Sequence, residues 1–175
     1  MFSYSSPLDE TVQLVKGDGE VPSQLPGNHG LSHVLTDGQE NIVAIMFVRA
    51  QMISRGAGRN IISAAAYRHR TRMRDEQTGT LFNYRGGDDD LVHEELALPE
   101  DIPAWLRSAI EGKTVAAASE TLWNAVDAFE TRVDAQLARE LIIALPEELT
   151  RAENIGLVQE FVQDNLTSKG MIADW

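Results

Sequence analysis

The order of apolar patterns in this 175-residue chain predicts an α+β fold, with helices packed on one largely antiparallel sheet. Two observations carry that expectation. The chain reads strand, helix, strand or hairpin, helices, strand, helix, strand. No Rossmann glycine fingerprint, P-loop, heptad or internal repeat is present to argue for another class.

Each element has its own signal. Residues 1–42 hold half of the six prolines (Pro7, Pro22, Pro26), together with "KGDGE", "PGNHG" and "TDGQ". They keep neither a 3.6 nor a 2 period, so they read as a flexible leader that adds nothing to the fold. "NIVAIMFVRA" (41–50) is a β-rich apolar run, and "SRGAG" (54–58) is a loop opening a helix expected over 59–74. On that helix Ile62, Ala65, Ala66, His69 and Met73 form the core stripe. Tyr67 lies roughly 140° from Ile62 at about 100° per residue, away from the stripe.

Further along, "GTLFNYRGG" reads as a short strand or hairpin arm, and "DLVHEELALP" (90–99) as a strand. "PAWLRSAI" opens a helix on a proline suited to a first turn. Leu122, Val126, Phe129 and Val133 repeat at helical spacing, which predicts a long amphipathic helix over 115–133. "AQLARELIIALP" (135–146) ends in a strand stopped by Pro146, and "TRAE" (150–153) is a capping-box pattern in front of another helix. Lys169-Gly170 stops that helix, and "MIADW" begins a further strand.

Composition narrows the function classes. Forty-three per cent apolar residues can fill a core of this size. No run approaches a membrane span, no signal-peptide pattern opens the chain, and the absence of cysteine suits a cytoplasmic address and removes thiol chemistry. The net charge of −12 argues against a nucleic-acid partner on average, yet the average hides a segregation. From Arg49 through Arg74 there are seven arginines (Arg49, Arg55, Arg59, Arg68, Arg70, Arg72, Arg74) and no Asp or Glu. Guanidinium groups grip phosphates with paired hydrogen bonds, so the window is either a phosphate-binding face or a solvated helix surface. Of the four histidines, His29 and His33 are spaced only loosely like metal ligands, His69 suits a packed helix position and His93 an ordinary strand position.

The run "VAIMFVRAQMISRGAGRNIISAAAYRHRTRMRDEQTG" resembles the opening of the MobA/MobL family of plasmid relaxases, particularly its TraA-like conjugal transfer proteins. "LVHEELALPEDIPAWL", "LWNAVDAFETRVDAQLARELIIALPEEL" and "FVQDNLTSKGMIADW" resemble the same family in the same order, so the likeness covers about residues 43–175. The resemblance implies a relaxase-like α+β domain. The family nicks one DNA strand at a transfer origin, holds the 5′ end as a phosphotyrosine and rejoins it.

On this reading Tyr67 is the nucleophile, a phenol that needs help because its free pKa is about 10. Arg55, Arg59, Arg68, Arg70 and Arg74 are the DNA-binding set, and Glu140 in "LARELIIALP" is the acid beside the family's metal site. The implied partners are single-stranded transfer-origin DNA and relaxosome proteins, with no membrane. The family's divalent metal, Mg or Mn, is held by a histidine-bearing strand that the resemblance places after Trp175. The expectation is therefore a truncated relaxase domain without a metal site or cofactor of its own and without nicking activity; the alternative is a non-catalytic DNA- or relaxosome-binding module. In the same comparison Val43 takes the place of the family's initiator Met, which predicts that codon 43 is GTG and that the functional protein starts there.

Overall fold

The computed structural model describes residues 11–16, 48–86 and 91–175. Strand β1 spans Thr11–Lys16 and β2 Val48–Ser54; helix α1 spans Ile61–Arg68, followed by β3 Arg72–Arg74 and β4 Leu81–Asn83. The chain continues with β5 Leu96–Ala97, α2 Ala104–Ile110, α3 Val115–Phe129, β6 Gln136–Ile143, α4 Arg151–Asn165 and β7 Ile172–Asp174. Five strands form one sheet in the order β2-β6-β1-β7-β5, and β3 pairs with β4 in a separate hairpin. β2 with β6 and β5 with β7 are antiparallel, while β1 runs parallel to both β6 and β7. The helices-on-sheet class expected from the sequence is the one observed.

Side-chain alternation assigns the two faces of the sheet. Ile53, Ala138 and Ile172 pack with Ile61, Ile62, Ala65 and Ala66 of α1 and with Leu122, Trp123 and Val126 of α3. The opposite face gathers Leu141, Ile143, Ala97 and Ala173 against Val158, Val162 and Leu166. α4 starts as its sequence predicts: Thr150 accepts from the Glu153 backbone N–H, and the Glu153 side chain returns to the Thr150 backbone.

Several boundaries differ from expectation. The 59–74 helix ends at Arg68, because Asp75 builds a competing turn. Its carboxylate accepts from the backbones of Gln77 and Thr78 and from Asn60 Nδ2, and Gly79 at φ 73 donates to the Asp75 carbonyl. That turn closes the β3–β4 hairpin, so Met73 reaches the core from a strand while Arg72 and Arg74 face outward. α3 ends at Phe129, leaving Phe129 and Val133 exposed. Here the Arg55 guanidinium reaches the last carbonyls, donating to Asp127 O and Glu130 O at 2.8 Å each. Within 91–99 the strand is only the two-residue β5, whose pairing two Glu95–Trp175 backbone bonds continue.

β1 is the largest departure. Thr11–Lys16 fall within the segment expected to stand outside the fold, yet they form the middle strand of the sheet. The rest of that leader, with His29, His33 and Val43, lies outside the described residues.

The capping box supplies a local test of this fold. Thr150→Ala is expected to cost about 1 kcal/mol and lower Tm by about 2–4 °C, while Thr150→Ser retains most of the stability. Thermal unfolding followed by circular dichroism checks both.

Candidate functional site

Where α1 ends, its last residues are tied to β7 through one buried carboxylate. Asp174 accepts from Arg68 Nη1 at 3.1 Å, His69 Nε2 at 2.7 Å, Ser119 Oγ at 2.7 Å and Trp123 Nε1 at 2.6 Å. His69 Nδ1 meets Glu94 Oε2 at 2.8 Å, so the ring is held between two acceptors and satisfies both only as the imidazolium.

The electrostatics agree with that protonation state. Burial alone pulls His69 down, but the hydrogen bond and charge of Asp174 and the bond to Glu94 outweigh it and leave its pKa above 6.5. For Asp174 burial alone would raise the pKa. The His69 hydrogen bond, the charges of Arg68 and His69 and the Ser119 bond bring it instead to about 2. Burial also sets Arg68 below its ordinary value, opposed by Asp174 and Glu140.

Immediately before this clamp, Tyr67 is 48% exposed and lines a cleft of about 540 Å³. Asn60, Ser63 and Ala64 of the α1 segment, Arg59 before it, Gln51 and Glu140 on neighbouring strands and Tyr84 after the hairpin share that cleft. Gln51 and Glu140 are direct cross-strand partners. Glu140 is buried and accepts from Arg59 Nη2 at 3.0 Å and from Gln51 Nε2. Gln13 of β1 occupies the register position between Glu140 and Asp174. Arg70, at φ 45, places its guanidinium 4.3 Å from the centroid of the Tyr67 ring.

The arginines predicted to bind DNA separate into two groups. Arg59 and Arg74 are exposed, as is Arg72 outside that predicted set, and Arg70 is half-buried beside Tyr67. Arg55 and Arg68 do not belong to this face. Arg55 is bonded to Asp127 Oδ1 at 2.6 Å and caps α3, and the Arg68 side chain is 6% exposed against Asp174. In each case a carboxylate distant in sequence captures the cation.

Sequence reading missed Asp174, Glu94, Gln51 and Tyr84. Asp174 carried a usable signal, since an acid inside the apolar strand "MIADW" needs buried donors. Its partners lie 51 to 106 positions away, where no periodicity points. Among the described residues no three His, Cys, Asp or Glu side chains converge as a metal ligand set. No helix among them is long and apolar enough to cross a membrane.

The chain belongs to the MobA/MobL family, whose model matches residues 59–175. It is 48% identical over 133 residues to the conjugal transfer protein TraA of Rhizobium radiobacter, covering 76% of this chain and 12% of that protein. It is 37% identical over 134 residues to the mobilization protein MobL of Acidithiobacillus ferridurans, covering 75% of this chain and 31% of that one. A solved structure described as "Molecular Basis of Vancomycin Resistance Transfer in Staphylococcus aureus" superposes with a TM-score of 0.62 at 29% identity. It covers 75% of this chain and 61% of its own, and it places the fold among the relaxases. The chain therefore spans only a minor part of the curated relatives it matches.

The clamp has a defined pH signature. His69 has a folded pKa above 6.5, so its stabilisation is complete below pH 6.5 and is lost as pH rises through the folded value. Asp174 stabilises above pH 3.8, and that contribution is lost as pH falls through about 2. Urea unfolding across pH should show stability declining on the alkaline side of 6.5, with this limb abolished in His69→Gln. An unchanged limb in that variant would contradict the assignment.

Proposed function

We propose that this segment is the tyrosine-bearing, strand-binding part of a conjugative DNA-processing protein acting in the cytoplasm on single-stranded transfer-origin DNA. The observation that carries the reading is the position of Tyr67: exposed at the cleft that holds Glu140, with Arg70 over its ring and Arg59, Arg72 and Arg74 nearby in the chain.

In the longer family proteins the chemistry would be a transesterification. The Tyr67 phenol oxygen attacks phosphorus and gives up its proton, the 3′ oxygen departs as a hydroxyl, and the 5′ phosphate becomes a tyrosyl ester that the reverse reaction resolves. Arg70, Arg72 and Arg74 would hold phosphates along the strand. Divalent-metal polarisation of the phosphate, expected for the intact proteins, has no ligand set among the described residues. Glu140, bonded through Oε2 to Arg59 and Gln51, would hold the cleft's polar floor in place. On this reading the segment binds the strand and does not cut it alone, which is also the behaviour of a non-catalytic DNA- or relaxosome-binding module.

The net charge of −12 does not oppose this. Interactions between exposed charges fade beyond about 8–10 Å at ordinary ionic strength, so the local arginine face decides. Two outcomes are expected. Single-stranded DNA binding should weaken steeply with salt, and the Arg70/Arg72/Arg74→Ala triple variant should flatten the log–log slope by about 2, at roughly 0.7 per lost contact. Salt-insensitive binding, or an unchanged slope, contradicts the arginine face. Supercoiled transfer-origin plasmid incubated with Mg²⁺ or Mn²⁺ should stay uncut; metal-dependent nicking lost in Tyr67→Phe would make the segment an active enzyme.

A further inference from the structure

The β3–β4 hairpin delivers a second tyrosine to the first. The Tyr84 ring stands at 86° to the Tyr67 ring with centroids 5.5 Å apart. Tyr84 is itself fixed at both ends: its backbone N–H donates to Thr71 O at 3.0 Å, and its hydroxyl shares a 2.9 Å hydrogen bond with Ser63 Oγ. Ser63 and Tyr67 are four residues apart on α1 and so lie on one face of the helix, which lets a single ring bridge the two.

Core packing does not account for this pair. Tyr67 and Tyr84 are 48% and 37% exposed, neither belongs to a buried cluster, and both line the same cleft. An exposed tyrosine ordinarily samples several rotamers, and a reacting group that does so loses much of the advantage of being held in place. Here the ring of Tyr67 is met by the Arg70 guanidinium over its face and by Tyr84 at right angles. Arg70 takes this place with a backbone at φ 45, in the left-handed region that non-glycine residues rarely adopt. The contacts that order the ring are therefore made at the surface, where they fix geometry more than they add stability.

We infer that Tyr84 is the positioning residue for Tyr67: locked by Ser63, it confines the Tyr67 ring to one orientation and so sets the direction in which the phenol oxygen meets a bound strand. The inference rests on the reading of Tyr67 as the strand-facing phenol, and its test has one arm that needs no DNA. With 3-fluorotyrosine placed at position 67 of the full chain, the fluorine resonance should be displaced from that of the unfolded protein by the perpendicular ring. Tyr84→Phe should keep most of that displacement, because the ring remains. Ser63→Ala, which breaks the same hydrogen bond and leaves the ring, should match Tyr84→Phe, and Tyr84→Ala should collapse the displacement toward the unfolded position without loss of cooperative unfolding. A resonance unchanged in Tyr84→Ala overturns the inference, as does one equally lost in Tyr84→Phe.

The second arm uses a single-stranded oligothymidylate carrying one 5-iodouracil, irradiated with the protein. Tyr84→Ala should lower crosslinking to Tyr67 several-fold while affinity and salt dependence stay within about twofold of the parent, since phosphate contacts carry the binding. Unaltered crosslinking by a variant that still binds overturns the positioning role. Absence of any binding by the parent chain instead removes the strand-binding function and leaves the fluorine result to decide the inference.

Discussion

The Asp174 carboxylate is the constraint on which the rest of the site depends. A carboxylate with no exposure is tolerated only when its lone pairs are filled, and here two cationic and two neutral donors fill them. The donors come from different parts of the chain: Arg68 and His69 at the end of α1, Ser119 and Trp123 on α3. Satisfying the one group thus fixes α1 against α3 and both against β7. Tyr67 directly precedes the two clamped residues, so the ordering of the core and the presentation of the phenol are one event. The polar cluster also sets what lies beside it, because Glu140 adds a second buried carboxylate on the same face of the sheet.

Charge is apportioned by the same logic. Seven arginines occur between positions 49 and 74, and the fold commits three of them, Arg55, Arg59 and Arg68, to carboxylates at 127, 140 and 174. The hairpin turns Arg72 and Arg74 outward. Only part of the positive window in this acidic chain is therefore open to solvent.

Much of this was legible in the sequence, and the limits have physical causes. Local signals gave local results: the Thr150–Glu153 capping box, the Ala-rich core face of α1 and the exclusion of Tyr67 from it. The helix extended to Arg74 was an error of period. "RHRTRMR" places arginine at every second residue, which is a strand's alternation, and the "DEQTG" turn after it was the cue that the helix had already ended. Glu140 was singled out on resemblance, and its burial beneath Arg59 and Gln51 could not be read from spacing, since those partners lie 81 and 89 positions away. β1 was hidden for a different reason. Six residues amid proline and glycine carry too short a pattern to register, and only the gap between β6 and β7 gives them a place.

The central claim is that the pairing of Arg68 with Asp174 holds the end of α1, and a double-mutant cycle measures it directly. Removing one partner of a buried pair costs up to about 3–5 kcal/mol, less for Arg68→Met because His69 still faces Asp174, whereas removing both partners together removes much of the mismatch. Urea unfolding of Arg68→Met, Asp174→Asn and the double variant should give two destabilised single variants and a double variant well above the sum of their losses. Additive losses would mean that the two residues act independently and that the clamp does not hold the site together.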